Sequence, residues 1–233
     1  MKIVTWNCNG ALRKKLEHIS SFNADIYVIQ ECEDPSKTND KGYEGWSKNY
    51  LWIGDSKSKG LGIFAKSSID LKLLGWSNSY RDHSVKYFLP CMVNKSFQLL
   101  GVWNHRNNSP NFGYMGQFWK YLQTNLEMFE DIIIAGDFNS NPIWDQWDRW
   151  WNHSDVIKLL EEKNIKSAYH LNTLEEQGKE SRPTFYLHKK EEKPYHIDYI
   201  FVSKGFQKPK EFRIEQRNDW IKISDHVPLI IEL

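Results

Sequence analysis

The sequence predicts an α/β protein in which two β-sheets pack together with helices on the outside. Two observations carry that prediction: short Ile- and Val-rich runs recur along the whole chain between polar, turn-type residues, and only a few stretches show helical periodicity. The strand runs are Ile3–Trp6, Ile26–Gln30, Gly62–Ala65, Phe97–Trp103, Ile132–Ala135, Tyr199–Val202 and Val227–Ile231. Between the first two, Leu12, Leu16, Ile19 and Phe22 recur at helical spacing beneath a lysine-rich face, which predicts an amphipathic helix. Helical patterns also fit 114–129 and 155–163. The lysine-rich stretch Lys189–Lys193 reads as a solvated hairpin connection. No repeat or shift of composition marks a boundary, so residues 1–233 are expected to form one domain.

Composition narrows the class. With 40% hydrophobic and 26% charged residues the chain is globular rather than disordered. Cys8, Cys32 and Cys91 form neither a CxxC nor a metal-ligand spacing, and so odd and sparse a count fits a reducing cytosol. The N-terminal MKIVTWNCNG lacks the apolar run of a secretory signal, and no stretch approaches the ~20 apolar residues of a membrane span. A soluble, cytoplasmic monomer with no membrane or protein partner is expected. The net charge of +1 argues against tight, sequence-independent binding of duplex DNA. Local clustering of charge and a bound metal leave nucleic acid open.

Chemistry enters at the strand ends. Asn7 follows the first run and Glu31 the second; His105 lies two residues past LLGVW; Asp137 and Asn139 follow IIIAG. Asp198 opens the run ending in FVS, and Asp225 and His226 precede VPLIIEL. An Asn or Asp after a strand is ordinarily a turn residue, and a lone His ordinarily structural. Turn chemistry alone, however, would not exclude Gly and Ser from so many equivalent positions. Carboxylates, amides and imidazoles without cysteine suit a hard cation such as Mg²⁺, with Mn²⁺ as a substitute. Histidines beside carboxylates suit a phosphoryl transition state or proton movement.

With these residues in place, the sequence resembles the endonuclease/exonuclease/phosphatase superfamily, which includes exonuclease III, pancreatic-type deoxyribonucleases, inositol-polyphosphate phosphatases and sphingomyelinases. The matching segments are TWNCNG at 5–10, IQE at 29–31, GDFNSNP at 136–142, HIDYIFVS at 196–203 and SDHVPL at 224–229. The resemblance implies a four-layer α/β/β/α sandwich of two mixed sheets, and a divalent-metal-dependent phosphodiesterase, foremost a DNA nuclease. It implies that Glu31, Asn7 and Asp225 hold the metal. Asp137 would orient or deprotonate the attacking water, and Asn139 would hold a phosphate oxygen. Asp198 would pair with His226, and His105 would bind the scissile phosphate.

Two departures bear on substrate. Asn9 stands where exonuclease III-type enzymes carry an Asp, and VWNHRNNSP and HIDYIF differ from the abasic-site endonuclease versions. Both lean toward deoxyribonuclease-like or phosphatase-like branches, with Asn9 as a substrate contact. In PIWDQWDRWWNH, Trp144, Trp147 and Trp151 fall at i, i+3 and i+7, as on one helical face. Two readings stand for them: packing against the sheet, or stacking on bases, with Trp144 the substrate candidate. Arg106, Arg149, Arg182 and Lys193 are either a basic rim for phosphate or plain surface charge. Tyr169, His170 and Thr184–Tyr186 border the expected cleft as structural residues. A small-molecule phosphoesterase acting on nucleotide, sugar-phosphate or lipid-headgroup substrates is the alternative, and a nonenzymatic binding module the third reading.

Overall fold

The computed structural model describes every residue except Asn108 and Pro110, so these two positions of the VWNHRNNSP segment lie outside the described residues. In chain order the first strands are β1 (Lys2–Asn7), β2 (Ile26–Cys32), β3 (Tyr50–Ser56), β4 (Lys59–Ala65), β5 (Leu71–Leu73), β6 (Ser79–Tyr80), β7 (His83–Ser84) and β8 (Phe88–Val93). They continue with β9 (Phe97–Trp103), β10 (Ile132–Asp137), β11 (Lys166–Ser167), β12 (Phe185–Tyr186), β13 (Pro194–Tyr195), β14 (Asp198–Val202), β15 (Glu211–Ile214) and β16 (Leu229–Glu232). The helices are α1 (Leu16–Ser20), α2 (Lys41–Trp46), α3 (Met115–Asn125), α4 (His153–Glu162), α5 (Ala168–Thr173) and α6 (Arg217–Trp220).

One six-stranded sheet runs β15-β16-β1-β2-β4-β3 and the other β11-β14-β10-β9-β8-β5. Each is mixed, with a single parallel pair, β1 with β2 and β10 with β9. The sheets face each other across one core in which Ile3, Val28 and Ile63 meet Leu89, Leu99, Ile133 and Ile200. They come close at Gly101, where an added Cβ would lie 3.2 Å from Val28 Cγ1. A second core joins the outer face of the second sheet (Leu100, Ile134, Phe201) to Phe118 and Leu122 of α3 and Val156 and Leu160 of α4. On the far side Trp220 of α6 packs on Trp6 and Phe22, and Trp46 of α2 on Tyr27 and Phe64. Helices therefore cover both outer faces, and the expected α/β/β/α sandwich is present.

Strand alternation positions the site. Ile133 and Ala135 of β10 face the core between the sheets, while Ile132 and Ile134 face the helices. Two residues on, Asp137 continues the inner face. By the same count Asp198 precedes Ile200 and Val202, and Asn7 follows Ile3 and Thr5. Asp137 and Asp198 are paired across the ladder. Because β1 and β2 run parallel, their C-terminal ends emerge together, and antiparallel β16 starts beside them.

Several expected elements differ. The helix through Leu12 and Phe22 is interrupted: a 3₁₀ turn (Leu12–Lys14) and α1 flank Lys15, whose φ of −124° leaves the helix and whose ammonium turns back to the Cys8 carbonyl. Its apolar stripe still faces the core, with Leu12, Ile19 and Phe22 buried and Leu16 partly buried against them. Trp144, Trp147 and Trp151 do not share a helical face. Trp144 ends a 3₁₀ turn begun by Pro142, and no helix starts before His153. The Asp145 carboxylate accepts the N–H groups of His153 and Ser154 at 2.9 and 3.1 Å, which caps α4 and folds the intervening segment into a loop. Trp147 is left 98% exposed, and Trp151 stacks on Phe112. Of the strands in the two large sheets, β3, β5, β8, β11 and β15 had no counterpart among the predicted runs, nor did the short hairpins β6–β7 and β12–β13. The Lys189–Lys193 connection joins the β12–β13 hairpin as predicted.

Candidate active site

Six of the predicted residues converge at one end of the sandwich. Asn7 donates its amide to Asp137 Oδ2 at 2.9 Å and to Glu31 Oε1 at 3.5 Å, bridging two carboxylates from different sheets. Asn139 donates its backbone N–H to Asp137 Oδ1 and its side-chain amide to Asp137 Oδ2, both at 2.9 Å. The same amide reaches the Asn104 carbonyl at 3.1 Å, so its two hydrogens are taken up by Asp137 and Asn104. His226 Nδ1 lies 2.9 Å from Asp198 Oδ2, and ligand atoms of Asp137, Asp198 and His226 all fall within 4.8 Å of one another.

The backbone is shaped for this rim. Glu31 sits at φ 60°, where the pairing of β2 with β4 shifts between Gln30 and Cys32, a bulge that re-aims its carboxylate. Gly136 has φ 155°, and a Cβ there would lie 1.8 Å from the Val102 carbonyl oxygen. Only glycine fits immediately before Asp137.

Burial and charge set the protonation states. Burial first, then the neighbouring Asp198 charge, push the Asp137 carboxyl up to about 7. For His226 burial works against the cation, but Asp198 and then Asp137 raise the imidazole to about 10. The site therefore holds an imidazolium opposite a carboxyl that titrates near neutrality.

The donor set fits a hard divalent cation. Glu31, Asn7 and half-buried Asp225 offer only oxygens. The half-exposed Lys59 ammonium pairs with Glu31 Oε2 from the solvent side, where a metal at this carboxylate would displace it. The tighter Asp137–Asp198–His226 cluster is less suited to a metal, because a protonated imidazole has no lone pair to give. Asp225 adds negative charge beside His226 and Lys15.

The remaining predicted residues are distributed around this centre. Exposed His105 lies next to Asn104, which links to Asp137 and Asn139, with its ring against Trp103 and Tyr87. Arg106 follows it, also exposed. Exposed Asn9 donates its N–H to Asn7 Oδ1 at 3.0 Å. Trp144 and Arg149 line a cavity of about 350 Å³ shared with Asn139. Arg182 does not join this rim: its guanidinium donates to the Ile214 carbonyl and lines a separate cavity with Tyr169 and Phe212. Lys193 is exposed in the β12–β13 connection.

Three supporting residues, Ser224, Asn104 and Lys59, carried no role in the sequence, and a fourth, Thr184, was expected there only as a structural residue. Buried Thr184 Oγ1 accepts the N–H groups of Ile197 and Asp198, each at 3.0 Å. Ser224 donates to the Asn7 carbonyl at 2.8 Å and accepts the His226 N–H, tying β1 to the histidine loop. Asn104 is wholly buried behind Asn139. Thr184 and Ser224 lie within the PTFY and SDH segments, whereas Asn104 and Lys59 had no signal beyond their neighbours.

A two-sheet sandwich with acids, amides and an imidazole gathered at one end defines a class of phosphoester hydrolases. The chain belongs to the Endonuclease/Exonuclease/phosphatase family, whose profile matches residues 4–226. No curated protein matches the sequence. Among solved structures it is similar to a 3′ phosphatase from Neisseria bound to a product DNA hairpin, at 18% identity and a TM-score of 0.73, covering 100% of this chain and 99% of that one. A 3′–5′ exonuclease from Neisseria meningitidis gives 18% identity and a TM-score of 0.72 over 100% and 99% of the two chains. An AP endonuclease from Archaeoglobus fulgidus gives 16% and 0.73 over 99% and 98%. At these identities the likeness speaks for the fold.

Proposed function

We propose that this protein is a divalent-metal-dependent phosphodiesterase whose substrate is DNA. The observation that carries the reading is the convergence of Asn7, Glu31, Asp137, Asn139, Asp198 and His226 from both sheets onto one rim. Glu31, Asn7 and Asp225 would hold Mg²⁺ or Mn²⁺, which supplies charge neutralisation at a phosphate oxygen and the leaving group. Asp137, aligned by Asn7 and Asn139, accepts a proton from the attacking water. The His226 imidazolium, oriented by Asp198, stabilises charge on the phosphoryl oxygens. Exposed His105 and Asn9, close in the chain to Asn104 and Asn7, contact the phosphate strand. No protein nucleophile is needed, because phosphoryl transfer rests on positioning and electrostatics.

The test is a panel of plasmid, single-stranded and abasic DNA, RNA and small phosphoesters with Mg²⁺ and Mn²⁺. DNA should be degraded, and EDTA or Asp137→Ala should abolish it. Turnover of other phosphoesters with none on DNA would reject the reading. One observation favours a small-molecule phosphoesterase instead: the cavity beside Asn139, about 350 Å³, suits one small ligand.

A further inference from the structure

A cavity of about 900 Å³ lies away from the acidic rim, along α3 and the β6–β7 hairpin. Its charge departs from the near-neutral chain: Arg81, Lys86 and Lys120 line it, and Asp82 is the only acidic residue that does. Lys86 is paired with Asp55 at 2.7 Å. Lys120 is different. Its residue is 8% exposed, its ammonium stands 4.7 Å from the centroid of the Phe112 ring, and among the described residues no carboxylate lies within ion-pair distance. A cation seated in a groove without a counter-charge is a receptor for an anion.

Rings interleave with these charges. Trp119 packs edge-on against Tyr80 with centroids 5.7 Å apart, and Arg81 lies over the same Tyr80 ring at 5.3 Å. Trp150 lines the groove while 62% exposed. The chain itself ties the groove to the acidic centre. Asn107 lines it and donates to the Ser84 carbonyl of the hairpin at 3.0 Å. Only His105 and Arg106 separate Asn107 from Asn104, whose carbonyl binds Asn139.

We infer that this groove is an exosite for single-stranded DNA, leading a strand to or from the acidic rim; the inference rests on the DNA reading above. Cations beside the exposed Trp150 ring and the half-buried Trp119 and Tyr80 match a polyanion whose flat bases are unstacked, and duplex DNA offers no such faces. An acidic peptide or an anionic lipid surface would meet the charges and leave the rings unused.

The test compares hydrolysis, with Mg²⁺, of a single strand of about a dozen nucleotides with that of bis-nitrophenyl phosphate, too small to reach the groove. Arg81→Glu, Lys120→Gln and Trp150→Ala are assayed, with thermal melting to verify folding. KM for the oligonucleotide should rise about tenfold in each variant, with kcat and small-ester kinetics unchanged. Binding of the oligonucleotide in EDTA, followed by anisotropy, should weaken by the same factor. Unchanged oligonucleotide KM and binding in folded Arg81→Glu and Trp150→Ala would overturn the exosite, as would equal losses on the small ester. So would competition by oligo-glutamate matching that of DNA. If the wild type binds the oligonucleotide through these residues but cleaves no DNA, the exosite stands and the nuclease reading fails; cleavage by the wild type with unaltered variants has the opposite meaning.

Discussion

At the scale of single residues, Asp137 and the Asp198-paired His226 set the two limbs of the pH window. Asp137 must lose its proton to act as a base, so activity should rise through about pH 7. His226 must keep its proton, so activity should fall as pH passes about 10. The profile of kcat/KM should be bell-shaped with limbs near those values. Asp198→Asn removes the strongest interaction raising the imidazole. The alkaline limb should then move down by roughly 1–3 units, and kcat should fall by roughly 10²-fold; an unmoved limb in a folded variant would separate Asp198 from His226 function. Stability follows the same sign for the histidine: a raised folded pKa contributes stability below the unfolded value, and it is lost as pH climbs through about 10. His153 has the opposite sign. Burial lowers it to about 3, so its contribution is complete above the unfolded value and declines as pH falls from there toward 3. Between pH 7.5 and 5 that one group should cost about 2 kcal/mol. Urea midpoints of His153→Phe should therefore fall less than those of wild type over this range.

At the scale of elements, the rim depends on ties between segments far apart in the chain. Thr184 precedes β12 and satisfies two buried N–H groups at the start of β14. Thr184→Val leaves both without an acceptor. It should cost about 2–4 kcal/mol in chemical denaturation and lower kcat as Asp198 loses its anchor, whereas a variant as stable and active as wild type would remove Thr184 from the site. The legibility of the sequence also divides by element. Central strands such as β10 and β14 were readable because they are buried on both faces and present continuous apolar runs; the acids at their ends were then visible as breaks in pattern. Edge or interrupted strands were not: β3 is half-buried, and β8 carries Pro90 in its middle. The Trp144–Trp151 spacing misled because periodicity cannot see a cap; Asp145 reaches forward to α4 and overrides it. Arg182 was placed at the mouth by its position in the chain, but its guanidinium is claimed by the Ile214 carbonyl.

At the scale of the whole molecule, the two sheets form one scaffold, and the rim exists only when both are in register, since Asn7 and Asp137 belong to different sheets. Its tolerance for local discomfort has a practical side at Glu31. A left-handed backbone costs a β-carbon residue roughly 1–2 kcal/mol, and a glycine there escapes that cost. Glu31→Gly also removes one of the carboxylates crowded around Asn7. The variant should melt higher than wild type and hydrolyse nothing; a lower melting temperature would show that the Lys59 pair outweighs the strain. If it melts higher, selecting this protein for heat resistance alone would discard its catalyst: directed evolution toward ruggedness would need an activity screen at every round, because here durability and turnover pull one codon in opposite directions.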